Sequence, residues 1–306
     1  MKTAFIFPGQ GSQFVGMAKD LYETFDLARS YFDRANEILG FDLKKVCFEG
    51  PEEELKKTYI TQPAIFVHSV VVNELLKEKG QTPQGVAGHS LGEYSALVAA
   101  GSLSFEDGLK LVQKRGQLMY QSGQKNPGTM AALIGLSEEQ VYALCDELKS
   151  EGVIQPANFN SPGQIAISGE VNVIRKAIEK AKEMGAKKAV ELVVSGAFHS
   201  PLMDDARAGL QEALEKTEIK PAQVPVYTNV TAQPVSEAAQ IRTLLYRQLT
   251  SPVLWQKSME NMIADGFERF YEIGPGKVLT GLLKRINRQV PCQPVGTAEQ
   301  INATGE

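Results

Sequence analysis

Gly85-Val86-Ala87-Gly88, followed by His89-Ser90-Leu91-Gly92, joins a short apolar strand to a Gly-x-Ser-x-Gly turn, and residues 91–100 continue as a helix that stops at Gly101. A strand that passes through such a turn into a helix is the setting in which a serine oxygen is lifted above the edge of a sheet as a nucleophile. The flanking glycines allow neighbouring backbone to approach closely, and the helix N-terminus favours negative charge developing beside it. Ser90 is therefore the candidate nucleophile.

The surrounding pattern is that of an α/β protein. Residues 3–7 read as a buried strand, and the loop 8–13 (Pro-Gly-Gln-Gly-Ser-Gln) breaks it. Helical periodicity then dominates as far as Gly80. Within it residues 63–79 carry Ile65, Val67, Val70, Val71, Leu75 and Leu76, and Gly80 closes the helix. Ser104 with Asp107 three residues on has the pattern of a capping box, opening a helix to about residue 122. The next stretch differs in kind. A strand at 129–134, a helix at 137–148, strands at 153–158 and 164–168, a helix at 171–184 and a strand at 187–194 give the order β-α-β-β-α-β. Beyond it, helices near 202–215, 239–249 and 253–264 alternate with strands near 225–228 and 269–273, and the tail past Gly296 reads as polar and loosely held.

Strands alternating with helices call for a parallel sheet covered on both faces. The expected architecture is an α/β-hydrolase-like core with a parallel sheet flanked by helices, formed by residues 1–126 and 197–306. A ferredoxin-like subdomain, residues 127–196, is inserted into it.

The chain has 306 residues, 43% of them hydrophobic, enough to bury a sizeable core. Its net charge of -4 leaves no bulk positive field, which argues against nucleic acid as the main partner. Cys47, Cys145 and Cys292 are odd in number, far apart and without metal-ligand spacing, so a reducing compartment and no metal are expected. The apolar opening is too short for a signal-peptide core, and no apolar run approaches the about 18 residues of a membrane span. A cytoplasmic protein without a membrane partner is the expectation.

A serine hydroxyl needs a base. Of three histidines, His68 sits in an apolar helix and reads as a packed residue, and His89 precedes Ser90 on a tight turn that directs it away from the serine oxygen. His199 remains, in Gly196-Ala197-Phe198-His199-Ser200-Pro201 just past a strand end, where sites of open parallel sheets assemble. Asp204 and Asp205 follow it, but as solvated first-turn acids of the next helix, and spacing alone does not choose the acceptor that orients the ring. Arg115 emerges from an apolar helical stripe of Leu111, Leu118 and Met119. A guanidinium buried there needs an anion, and its planar fork suits a carboxylate.

These motifs, taken along the whole chain, resemble the malonyl-CoA:acyl carrier protein transacylases of the fatty-acid and polyketide acyltransferase family. The resemblance rests on FPGQGSQ (Phe7 to Gln13), GHSLGEYSAL (Gly88 to Leu97), KRG (Lys114 to Gly116) and FNSPGQ (Phe159 to Gln164). It continues through SGAFHS (Ser195 to Ser200), RQLTSPV (Arg247 to Val253) and EIGPGKVL (Glu272 to Leu279). One departure is Ala197, where members of the family commonly carry proline.

The resemblance implies Ser90 as nucleophile, His199 as general base and acid, and a carbonyl of Gln248, the backbone one by expectation, as the acceptor that orients His199. It places backbone N–H groups of Gln10 and Leu91 in an oxyanion hole, Arg115 on the malonyl carboxylate, and Met119, Asn160 and Phe198 against the substrate, with Gln164 beside the cleft. It further implies malonyl-CoA as substrate, no cofactor, a transient acyl carrier protein partner, a monomer and a place in fatty acid biosynthesis. A polyketide-serving acyltransferase and an acyl-thioester hydrolase are the alternatives. The Gln10 loop is a poor dinucleotide loop, since Phe14 stands where a third glycine is needed. Gly274-Pro275-Gly276-Lys277 reads as a plain turn before a helix more readily than as a phosphate site. Because carrier proteins are acidic, Lys187, Lys188, Lys277, Lys284 and Arg285 are candidate docking residues.

Overall fold

In a computed structural model that describes residues 1–304, two sheets share the chain. The strands are β1 (Lys2–Phe7), β2 (Gly85–Gly88), β3 (Gly128–Ile134), β4 (Ile154–Ser161), β5 (Gln164–Glu170), β6 (Lys188–Glu191), β7 (Val226–Tyr227), β8 (Pro234–Val235), β9 (Phe267–Ile273) and β10 (Cys292–Val295). The larger sheet runs β10-β9-β1-β2-β7-β8, parallel except for the last pair. Ala4 to Phe7 and all of β2 are buried, as strands covered on both faces must be. Two apolar clusters lie against opposite faces: Phe5 and Phe7 join one, Ala4 and Ile6 the other.

Within the smaller sheet the order is β4-β5-β3-β6 with every neighbour antiparallel, the ferredoxin-like arrangement expected from the β-α-β-β-α-β order. Its helices, Glu138–Leu148 and Val171–Glu183, bury Val141, Leu144, Ile174 and Ala177 against Ala131, Leu133 and Ile167. Ser137 and Gln140 close a reciprocal capping box at the first of them.

Several expectations need correction. The sheet has an antiparallel edge at β8, too short at two residues to show periodicity. The long helix spans Thr58–Glu78, so Pro63 lies inside it; Gly80, at φ 76°, closes it by carrying the chain into the left-handed region. Ser104 accepts the Asp107 N–H, but the Asp107 carboxylate takes the Ser104 hydroxyl, so only one arm of the capping box forms. Val253 belongs to no helix: it exchanges backbone bonds with Ala157 and Phe159 beside β4, and Pro252 delays the helix to Trp255–Ala264.

The tail is also held more firmly than its polarity implies. Thr297 and Gln300 form a capping box on the helix Ala298–Ala303, whose Ile301 is buried, and Asp20 accepts the Ala298 N–H. Cys47, Cys145 and Cys292 are free thiols, each pushed up to about 12 by burial.

Candidate active site

The chain order reverses about β1, with β2 and β7 to one side and β9 and β10 to the other. A crevice opens at the strand ends where an open sheet reverses in this way. The loop 8–13 leaves β1 there, and the Ser90 turn leaves β2. A Cβ on Gly88 would collide with the Gly92 carbonyl, and one on Gly92 with the Phe7 and Pro8 backbone, so Gly88 is demanded by the turn itself and Gly92 by the end of β1 packed on it. Ser90 has φ 52°, a left-handed conformation that costs a non-glycine residue energy. It is supported where it is strained: the Ser90 N–H donates to Asn229 Oδ1 at 2.7 Å, and Asn229 Nδ2 donates to the Gly88 carbonyl at 2.6 Å.

His199, 3% exposed and at φ 57°, places Nε2 2.9 Å from Ser90 Oγ. Its Nδ1 lies 2.8 Å from the backbone carbonyl of Gln248, which fixes the tautomer. A carbonyl accepts only from an N–H, so Nδ1 carries the proton and Nε2 is the free lone pair facing the hydroxyl. The His199 carbonyl in turn accepts Gln155 Nε2 at 2.6 Å. Burial first, and then the nearby Arg115 charge, depress the imidazole to about 3, so the ring is neutral.

Arg115 is 1% exposed, and among the described residues no carboxylate pairs with it. One Nη1 donates to Gln62 Oε1 at 2.8 Å, while Nη2 donates to Gln248 Oε1 at 3.0 Å and to Ser90 Oγ at 3.1 Å. The guanidinium carbon lies 5.6 Å from the Tyr94 ring centre, and Nε has no partner. A buried cation held only by neutral oxygens keeps its charge available to an anion entering beside Ser90.

Gln10, Ser90, Leu91, Arg115, Met119, Phe198 and His199 share an inner chamber of about 120 Å³. Met130, Asn158, Leu192 and Val194, from the smaller sheet and the segment after it, complete its wall. Neither the Gln10 nor the Leu91 N–H donates to another group among the described residues. Asn160 is placed outside, in an outer cleft of about 560 Å³ that shares Gln10, His89, Asn158, Leu192 and Val194 with the chamber. Its Oδ1 lies 2.8 Å from His89 Nε2, which holds that imidazole away from the serine oxygen.

His68 bonds the Gly296 carbonyl at 2.8 Å, a packing role. Asp204 and Asp205 pair with Arg207 and Lys125 at the surface. The Gly274 to Lys277 segment is a turn: the N–H groups of Leu279 and Thr280 that follow are taken by the Glu272 carboxylate at 2.9 and 2.7 Å.

An acyl transferase domain profile matches residues 4–302. The chain belongs to the acyl transferase family. This acyltransferase is 49% identical over 301 residues to the malonyl CoA-acyl carrier protein transacylase of Bacillus subtilis (strain 168), covering 98% of this chain and 95% of that protein. Among solved structures it matches the acyl-carrier-protein-S-malonyltransferase of Bartonella henselae with a TM-score of 0.96 and 43% identity, over 99% of this chain and 98% of that one. A malonyl-transacylase in complex with a type II PKS acyl-carrier protein matches with a TM-score of 0.96 and 41% identity, over 99% and 98% of the two chains.

Sequence reasoning missed four residues of the acyltransferase site: Gln62, Glu93, Gln155 and Asn229. Glu93 had a usable signal, a carboxylate between Leu91 and the largely apolar run Tyr94 to Ala100. The amides had none. No helix among the described residues is long and apolar enough to cross a membrane, and no group of three His, Cys, Asp or Glu residues among them could hold a metal.

Proposed function

We propose that this acyltransferase moves a malonyl group from coenzyme A to the phosphopantetheine thiol of an acyl carrier protein, through a malonyl ester on Ser90. The observation that carries the reading is Arg115: a buried guanidinium without a carboxylate partner among the described residues, one donor 3.1 Å from the nucleophile. A malonyl thioester seated on Ser90 presents a distal carboxylate within reach of such a fork.

Ser90 Oγ attacks the thioester carbonyl while His199 Nε2 takes its proton. The resulting oxyanion is held by the Gln10 and Leu91 N–H groups, left free for it by the two loops. The C–S bond breaks, His199 returns the proton to the coenzyme A sulfur, and the ester remains with its carboxylate on Arg115. The carrier thiol then repeats the steps in reverse, so the cycle is ping-pong and needs no cofactor. Gln248 supplies a neutral acceptor rather than a carboxylate, which orients the imidazole while stabilising its cation less. Met119 and Phe198 line the acyl chamber, and Asn160 lies by the pantetheine path.

The domain reading follows the same division. Residues 1–126 and 197–306 form the catalytic core, and 127–196 an inserted subdomain that walls the cleft. Lys187, Lys188, Lys277, Lys284 and Arg285, none of them in an ion pair among the described residues, suit an acidic carrier, and Arg285 bonds Gln164 at the cleft edge. A cytoplasmic monomer serving fatty acid biosynthesis fits these partners.

The deciding test is mass spectrometry of the protein after incubation with malonyl-CoA. A malonyl adduct at Ser90 that persists until a carrier thiol is added is expected. Immediate release of free malonate would make the protein a hydrolase.

The pH dependence follows from the depressed imidazole. His199 acts as a base only when neutral, and its free-protein pKa of about 3 keeps it neutral through mildly acid pH. The acid limb of kcat/KM for malonyl-CoA is therefore expected well below the ordinary imidazole value of about 6.5. A carboxylate seated on Arg115 cancels the second of the depressing causes, so the acid limb of kcat should lie at higher pH than that of kcat/KM. Coincident limbs near the ordinary value would contradict the assignment.

A further inference from the structure

Glu93 is a buried carboxyl, 2% exposed, one turn beyond the nucleophile, and the reaction just described gives it nothing to do. Its Oε2 accepts two bonds, from the Asn229 N–H at 2.9 Å and from Gln248 Nε2 at 3.0 Å. It makes no ion pair with Arg115. The Gln248 side-chain amide stands between them instead, with Nε2 toward Glu93 and Oε1 3.0 Å from Arg115 Nη2.

A terminal amide can be turned over with little change in shape, exchanging its donor and acceptor ends. Turned over here, the amide would set two hydrogen-bond donors against each other at Arg115 and two acceptors against each other at Glu93. Two neutral acceptors also face Nε2, the Ser90 carbonyl at 3.0 Å and Asn229 Oδ1 at 3.2 Å, but an NH₂ group has only two hydrogens to share among three. When ionised, the carboxylate is the strongest of the three acceptors, and it holds the Asn229 N–H as well.

We propose that Glu93 is a positioning residue for donor selectivity: by accepting the Gln248 amide N–H it fixes the amide oxygen on Arg115, and so aims the guanidinium at the acyl chamber. The inference rests on the reading of Arg115 as the group that receives the donor's distal carboxylate. Gln248 then serves two ends separately. Its main-chain carbonyl orients His199 for any acyl donor, and its side chain, set by Glu93, holds the arginine that only a carboxylated donor uses. Burial pushes the Glu93 carboxyl up to about 7, so at neutral pH it carries only part of a charge, and it lies outside the arginine's fork. A direct ion pair would take up the donors that the substrate needs.

Two kinds of substitution separate contact from charge. Glu93→Gln keeps an oxygen that can accept from Gln248 and removes the charge; Glu93→Asp keeps the charge and withdraws it by one methylene, and Glu93→Ala serves the same arm if the aspartate variant does not fold. Steady-state kcat/KM is measured for malonyl-CoA and acetyl-CoA, with Arg115→Ala alongside. The shortened variants are expected to lower the malonyl-to-acetyl ratio about tenfold, chiefly through the malonyl-CoA KM, whereas Glu93→Gln holds it within about threefold. A purely structural role would depress both donors alike and leave the ratio unchanged, and that result overturns the proposal. So does a ratio that collapses in Glu93→Gln as far as in Glu93→Asp, because keeping the acceptor would then protect selectivity no better than withdrawing it. If Arg115→Ala itself keeps the malonyl preference, the reading of Arg115 falls and this inference with it. If Arg115→Ala loses the preference while the shortened Glu93 variants retain it, only the Glu93 inference falls.

Discussion

Ser90→Ala is expected to lower malonyl transfer by about four to six decades, to the level left by binding and the oxyanion donors alone. No other hydroxyl stands within hydrogen-bond reach of His199 Nε2 among the described residues, so nothing can substitute for the lost oxygen. His199→Ala should fall nearly as far, since a serine without its base is a poor nucleophile at neutral pH. Because the two act as one unit, the double variant should be little worse than either alone. Single-turnover transfer to a carrier thiol, read by the mass of the carrier, measures all three. Full additivity of the two losses would mean that they do not share a proton, against the 2.9 Å that separates them.

Arg115→Ala should exchange one acyl preference for another. Truncating one member of a desolvated charge pair costs roughly 2–5 kcal/mol, about one and a half to three and a half decades in rate constant. That loss falls on malonyl-CoA, which brings the carboxylate, and not on acetyl-CoA, which has none. Removing the side chain also takes a hydrogen bond off Ser90 Oγ and one charge away from His199, and both changes ease attack on a neutral donor. Acetyl transfer should therefore hold or rise while malonyl transfer collapses, measured as the ratio of kcat/KM values. A variant that still favoured malonyl-CoA would remove Arg115 from substrate recognition.

How much of this was readable beforehand depends on whether a residue's role is local. The turn at Ser90 is legible because its signal lies within five residues: Gly88 and Gly92 stand where a side chain would strike backbone, with the serine between them. The β-α-β-β-α-β order was legible because its first three strands, of seven or eight residues each, and its two helices are long enough to show their period. β8 and β10, with two and four residues, are not. The C-terminal helix was overlooked although Thr297 and Gln300 stand at capping-box spacing, a cue that the polarity of the tail obscured.

Within the site, Gln248 shows the limit most clearly. The atom it lends to His199 is a main-chain carbonyl, which every residue possesses, so no pattern of side chains could single it out; only the resemblance named it. Asn229 and Gln62 act from 139 residues after Ser90 and 53 before Arg115, as amides with no chemical signature of their own. Arg115 stood out because a cation on an apolar stripe contradicts its surroundings, and such contradictions gather where a protein handles a ligand.

The chamber beside Ser90, at about 120 Å³, holds the equivalent of about four water molecules. A three-carbon acyl unit fits such a space, whereas an extended alkyl chain, whatever its charge, would have to run back into the outer cleft. Carriers already loaded with elongated intermediates are therefore expected to be poor substrates on size alone, before any ionic preference applies.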